Sequence, residues 1–246
     1  MTRGDDTPTW DAATRRLYGR RSARKLRPGR AKLLTEGLAR VAVPDEPEGP
    51  LTAARLFGAD VRRLWLEIGF GGGEHLAWQA RANPEVGMIG CEPFLNGVAS
   101  LLRHIADDGL SNVRVHAGDA RTVIDRLPEA AVERAFILFP DPWPKRRHRE
   151  RRIVSAETLG ALARVMADGA ELRLASDDPT QIRWMLQMAP PHPAFAWQVD
   201  GPNDWRQRPA DWPQTRYEAK ALAAGRTPVF LRLRRRTRPP QGSTFP

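Results

Sequence analysis

The sequence predicts an α/β fold: a doubly wound, mostly parallel, seven-stranded sheet preceded by a flexible basic arm. Short apolar runs alternate with segments of helical spacing from about residue 63 onward, the pattern of strands joined by crossover helices. A glycine-rich stretch, Gly69-Phe70-Gly71-Gly72-Gly73, lies between the first run and the first helical segment. Three successive runs end at or beside an acid, Glu67, Glu92 and Asp119. In open α/β sheets ligands bind outside the carboxyl ends of the strands.

The elements follow in order. Arg15 to Lys32 is densely basic with few apolar residues and reads as an arm; Pro44 to Pro50 reads as a linker. Arg63–Ile68 is the first strand, and Glu74–Ala82 a helix closed by Asn83-Pro84. Val86–Cys91 is the second strand. Phe94–Ala106 carries Val98, Leu101, Leu102 and Ile105 at helical spacing, with Gly109 as the stop. Val113–Ala117 is the third strand, Ala120–Leu127 a helix and Ala135–Phe139 the fourth strand. Ser155 caps a helix expected to run to Asp168 and end at Gly169. Glu171–Ser176 is the fifth strand, Gln181–Met188 a helix, and Phe195–Val199 and Val229–Leu233 are the last two strands. Residues 1–50 thus form an arm and linker, partly disordered, 51–236 the folded domain and 237–246 a disordered tail.

Composition narrows the function. The formal net charge is +10 over 246 residues, supplied mostly by arginine; such a surplus suits a polyanionic partner. The single cysteine, Cys91, excludes an internal disulfide and any cysteine-cluster metal site, so no metal is expected. No run approaches the roughly 20 apolar residues of a membrane span, and no apolar core follows the early basic residues as in a signal peptide. The expected compartment is the cytoplasm.

The glycine stretch departs from the dinucleotide pattern. Gly69 and Gly71 fit it, but Glu74 stands at the third glycine position. Glu74 and Glu67 would repel a pyrophosphate; a cationic sulfonium with an amino-acid tail suits the place better. Glu92 can hold ribose hydroxyls, and Asp119 can reach an adenine. Helix capping or turn formation also accounts for such acids, Asp119 in particular. The fourth strand runs directly into Pro140-Asp141-Pro142-Trp143-Pro144-Lys145, a carboxylate fixed in a turn by three prolines. Arg146, Arg147, Arg149, Arg151 and Arg152 follow with His148 among them, placed to bind phosphates without reading sequence. Trp143 can stack on a base or pack its own loop. Thr215 and Glu218 have the spacing of a capping box.

The pattern resembles the bacterial tRNA (guanine-N7-)-methyltransferases. The resemblance is carried by Leu66-Glu67-Ile68-Gly69-Phe70-Gly71, by Pro140 to Lys145 with its basic sequel, by Ser176-Asp177, and by Thr215-Arg216-Tyr217-Glu218, in the family's order across about 51–234. It implies the Rossmann-like class I methyltransferase fold. It also implies methyl transfer from S-adenosylmethionine to N7 of a guanosine in the variable loop of tRNA. Glu67, Gly69, Gly71, Glu92, Asp119 and Asp141 would bind the methyl donor. Lys145, Asp177, Thr215, Arg216, Tyr217 and Glu218 would bind tRNA, and Asp141 matches the family's catalytic acid. The expected partner is tRNA, with the enzyme a monomer or homodimer and no membrane involved.

Guanine N7 carries a lone pair and no proton, so its attack on a methyl group needs no general base. Asp141 is therefore expected to act by positioning and electrostatics. Three alternatives remain open on sequence alone: methylation of another RNA or DNA base nitrogen, a nicotinamide-dependent oxidoreductase, and a non-enzymatic RNA-binding protein.

Overall fold

The computed structural model describes residues 17–18, 21–22, 28–44, 49–59 and 61–239. The basic residues Arg15, Arg16, Arg20, Arg24, Lys25 and Arg27 of the expected arm lie outside these, as does 240–246.

Seven strands form one sheet: β1 Arg63–Ile68, β2 Val86–Cys91, β3 Val113–His116, β4 Val132–Leu138, β5 Met166–Ser176, β6 Phe195–Trp197 and β7 Val229–Arg235. Their spatial order is β3-β2-β1-β4-β5-β7-β6. The first five are parallel, whereas β7 runs antiparallel to both β5 and β6. The chain moves outward from β1 to β3 and then returns to β4 beside β1. That reversal opens a crevice at the carboxyl ends of β1 and β4, the place where α/β sheets bind ligands.

The helices are α1 Pro28–Lys32, α2 Leu38–Val41, α3 Ala53–Phe57, α4 Glu74–Ala82, α5 Leu95–Asp108, α6 Ala120–Arg126, α7 Ala156–Val165, α8 Pro179–Met188, α9 Asn203–Arg206 and α10 Arg216–Ala223. Strand alternation splits the core in two. Leu64, Leu66, Ile68, Ala135 and Ile137 face one layer. Trp65, Met88, Phe136 and Leu138 face the other, with Leu76, Leu101 and Leu102 of α4 and α5. Both faces of a parallel sheet are thereby covered.

Two sequence expectations change. Residues 28–41, read as part of the arm and linker, are helical: α1, a π-helical turn Leu33–Gly37 and α2 form a continuous helical segment. Leu33, Leu34, Leu38 and Val41 pack on the α4–α5 layer, and the Val43 N–H donates to Val115 O at 2.9 Å. These four apolar positions are diluted by charge in the sequence, which hid their common face. The helix beginning at Ser155 ends at Val165 rather than Asp168, because Met166 already pairs with Val132 in the sheet. The irregular register between Val132 and Arg134 absorbs the extra residues, and Gly169 turns at φ +80° within the strand. Pairing with β4 overrides the local helical pattern.

Candidate active site

A cavity of about 780 Å³ occupies the crevice. Its wall brings together Gly69, Gly71, Glu92, Asp119, Asp141 and Tyr217 from the sequence-derived set. Glu67 and Thr215 lie behind it, in a small adjoining void shared with Glu74, His75 and Tyr217. Lys145, Asp177, Arg216 and Glu218 line neither space.

Gly71 is in the left-handed region at φ +56°, and a Cβ there would stand 2.8 Å from the Tyr217 ring. The loop and the start of α10 thus meet closely over the cavity. On its other side Gly97 lets α5 approach: a Cβ on Gly97 would fall 2.1 Å from Gly71 O. Glu92 fixes this arrangement by accepting from the Gly71 N–H at 2.8 Å and the Phe94 N–H at 2.9 Å. Burial raises the Glu92 carboxyl above the usual range; its two backbone donors oppose the rise, and the charges of Asp141 and Glu67 add to it. Asp119 caps α6 by accepting from the Arg121 N–H at 3.0 Å and pairs with the Arg121 guanidinium at 2.6 Å. Its cap role and its place on the cavity wall therefore coincide.

The loop after β4 is strained and tied. Phe139 at φ +51° and Trp143 at φ +41° bracket Pro140-Asp141-Pro142, conformations that bulky residues rarely adopt. The Phe139 N–H donates to Ala175 O at 2.8 Å, anchoring the turn to the end of β5. Arg152 holds the other side. Its Nε donates to Pro142 O at 3.1 Å, another guanidinium nitrogen donates to Trp143 O at 3.0 Å, and the plane lies 4.7 Å from the Trp184 ring centroid. Arg152 is buried; its sequence reading as a phosphate ligand is corrected, because the side chain is turned inward and two of its nitrogens donate to the loop that carries Asp141. Arg151 is likewise engaged, with its guanidinium 4.7 Å from the Tyr18 ring and 5.1 Å from Trp143. Trp143 packs edge-on to His148 at 5.8 Å, so it supports its own loop while facing the cavity. Lys145, Arg146, Arg147 and Arg149 stay exposed, as does Asp141.

The remaining expected residues approach from the far side. Thr215 caps α10 by accepting from the Glu218 N–H at 3.1 Å, as the capping-box spacing implies. Glu218 does not complete the box: Arg208 Nε donates to its carboxylate at 3.0 Å, and burial pushes its pKa up against that pairing. Asp177 pairs with Arg226 at 2.6 Å, and Arg216 stands 3.9 Å from Glu74. The loop before Thr215 is pinned by Asp211, which takes two bonds from the fully buried Arg173 at 3.0 and 2.7 Å, and by the fully buried Trp212. No sequence signal separated Arg152, Arg173 or His75 from ordinary surface or helix residues. Among the described residues no group of three or more His, Cys, Asp or Glu could hold a metal ion, and no helix is long and apolar enough to cross a membrane.

A glycine-rich first turn, an acid closing β2 and a further acid opening the helix after β3, all around one crevice, define a class I methyltransferase with a Rossmann-like sheet. Residues 61–231 match the family model described as "Putative methyltransferase". The backbone is similar to that of the 16S rRNA methyltransferase KamB, with a TM-score of 0.55 and 16% identity over 80% of this chain and 99% of that one. Two relatives are far closer in sequence. A tRNA (guanine-N(7)-)-methyltransferase of Rhodospirillum rubrum is 51% identical over 95% of this chain and 91% of its own length. One of Paramagnetospirillum magneticum is 50% identical over 91% and 94%. The chain belongs to the tRNA (guanine-N(7)-)-methyltransferase family.

Proposed function

We propose that this protein methylates N7 of a guanosine in the variable loop of tRNA, with S-adenosylmethionine as methyl donor, and that it works in the cytoplasm. The observation that carries the reading is Asp141, exposed on a tied and strained loop at a cavity that Glu92 and Asp119 also line. The identity of about half the residues with named tRNA (guanine-N(7)-)-methyltransferases supports the same substrate.

The residues fit the methyl donor. Glu92, buried yet on the cavity wall, suits ribose hydroxyls, and its two backbone donors leave lone pairs for them. Asp119 suits the adenine, Gly69 and Gly71 admit the ligand close to the backbone, and Glu67 receives the ammonium of the methionine end. When bound, S-adenosylmethionine supplies a methyl carbon made electrophilic by its sulfonium. Asp141 holds the guanine by accepting from N1–H and the exocyclic amine, and offsets the positive charge that grows on the purine. No proton leaves N7, so Asp141 removes none. Its task is alignment, worth up to roughly 7–11 kcal/mol in ideal cases.

Lys145 and the exposed Arg146, Arg147 and Arg149 bind the RNA backbone. Asp177, Thr215, Arg216, Tyr217 and Glu218 form the opposite side of the RNA site, with Tyr217 packed over the glycine loop. We take residues 51–236 as the methyltransferase domain, with the helical segment 28–41 docked on it. Labelled methyl transfer to unmodified tRNA followed by nucleoside analysis tests the reading. Label in 7-methylguanosine supports it; label in another nucleoside, or none with folded protein that binds S-adenosylhomocysteine, overturns it.

A further inference from the structure

Glu67 and His75 form a buried pair that the chemistry above leaves half explained. Both side chains are 2% exposed, and Glu67 Oε2 lies 2.7 Å from His75 Nδ1. Among the described residues Glu67 forms no ion pair with Arg or Lys. A carboxylate so placed needs a donor and an orientation.

The neighbours decide which proton His75 carries. Gln79 Nε2 stands 2.9 Å from Asp211 O, and a carbonyl oxygen only accepts, so this amide atom is the nitrogen. Asn83 Nδ2 donating to Gln79 Oε1 at 3.4 Å fixes the same orientation. The second hydrogen of that nitrogen faces His75 Nε2 at 3.3 Å. With that hydrogen facing it, His75 Nε2 is placed to accept, which leaves Nδ1–H to donate to Glu67. Phe136, edge-on at 4.8 Å, and Trp212 at 5.7 Å hold the plane of the His75 ring.

A neutral donor orients the carboxylate without cancelling its charge. An imidazolium at this spot would neutralise Glu67 and weaken its attraction for a cation. Glu67 and His75 also line the void that adjoins the cavity at Gly69, Leu138, Phe139 and Tyr217. We infer that His75, as its Nδ1–H tautomer, is a positioning residue that holds Glu67 as an oriented anion for the cationic methionine end of S-adenosylmethionine. The chain Asn83–Gln79–His75–Glu67 thereby links α4 and the Asp211 loop to the donor site. The inference rests on the assignment of Glu67 to that site.

Two-bond 15N–1H correlation spectra of the unmodified protein read the tautomer directly. Nitrogen shifts of an Nδ1–H ring are expected at neutral pH; an Nε2–H ring or an imidazolium overturns the inference. Calorimetric binding of S-adenosylhomocysteine reads the consequence. His75→Leu, which removes the donor, is expected to weaken binding about tenfold or more. His75→Asn, whose amide replaces Nδ1–H, is expected to stay within a few-fold of the parent. In turnover the Leu change raises KM for the methyl donor more than it lowers kcat, and leaves KM for tRNA unchanged. Parental affinity in His75→Leu, or an equal loss in the Asn and Leu variants, overturns the inference. Should the Leu variant not fold, the tautomer and the Asn variant still decide. Glu67→Gln separates the two layers. Unchanged affinity there removes Glu67 from the site, whereas a loss there with parental His75→Leu removes only the role given to His75.

Discussion

Replacing Arg152 by lysine separates loop support from RNA binding within one basic run. Its guanidinium makes two bonds to carbonyls of the Asp141 loop and lies against Trp184. Bonds from a charged donor contribute about 1.5–3 kcal/mol each, and the ring contact about 1–2 kcal/mol. Opposing them, Phe139 and Trp143 sit at positive φ, each strained by about 1–3 kcal/mol. The restraint and the strain are of the same size, so the loop keeps its shape only while the fork is intact. Lysine preserves the charge but cannot span both carbonyls. Losing about 1.5–3 kcal/mol then moves Asp141 out of place in most molecules, and kcat should fall about 10- to 100-fold. The assay is initial-rate methyl transfer at saturating tRNA and methyl donor, with tRNA affinity measured against salt. The salt slope should stay parental, because no phosphate contact is lost. A parental kcat in this variant, or a slope reduced by about one in the charge-removing Arg152→Gln variant, would refute the argument, the latter restoring Arg152 as a phosphate ligand.

Replacing Arg146, Arg147 or Arg149 by glutamine should do the reverse, weakening tRNA binding and lowering the salt slope by about one each while kcat is kept. Asp141→Asn should lower kcat by about 10²- to 10³-fold, and a parental kcat in that variant would contradict its role at the guanine. Burial raises the Glu92 carboxyl, so the folded protein binds this proton more tightly than the unfolded chain. Its contribution to unliganded stability is full below the ordinary carboxylate range and is lost as pH rises through the raised pKa. Ribose binding needs the anion, so KM for the methyl donor should rise as pH falls through the raised pKa of this carboxyl; the Glu92→Gln variant should show a high KM with that dependence removed.

The sheet was legible because its strands are buried on both faces and read as apolar runs; β1 and β2 fall on the expected residues. The strand-end acids were legible because position in a doubly wound fold assigns them a place. What escaped was decided by tertiary contact. Arg152 looks like its neighbours in sequence, and only burial beneath Pro142 and Trp143 sets it apart. His75 gains its meaning from Glu67, Gln79 and the distant Asp211 carbonyl. The left-handed turns at Phe139 and Trp143 contradict local preference and persist through the tie to β5 and the Arg152 fork.

The central claim is that guanine N7 is the nucleophile and that Asp141 aligns it. A tRNA carrying 7-deazaguanosine at the variable-loop guanosine replaces that nitrogen by C–H and leaves the N1–H and amine edge intact. Labelled methyl transfer should yield 7-methylguanosine with the ordinary tRNA and no label with the deaza form, which should still bind and compete. Equal incorporation into both would contradict the account.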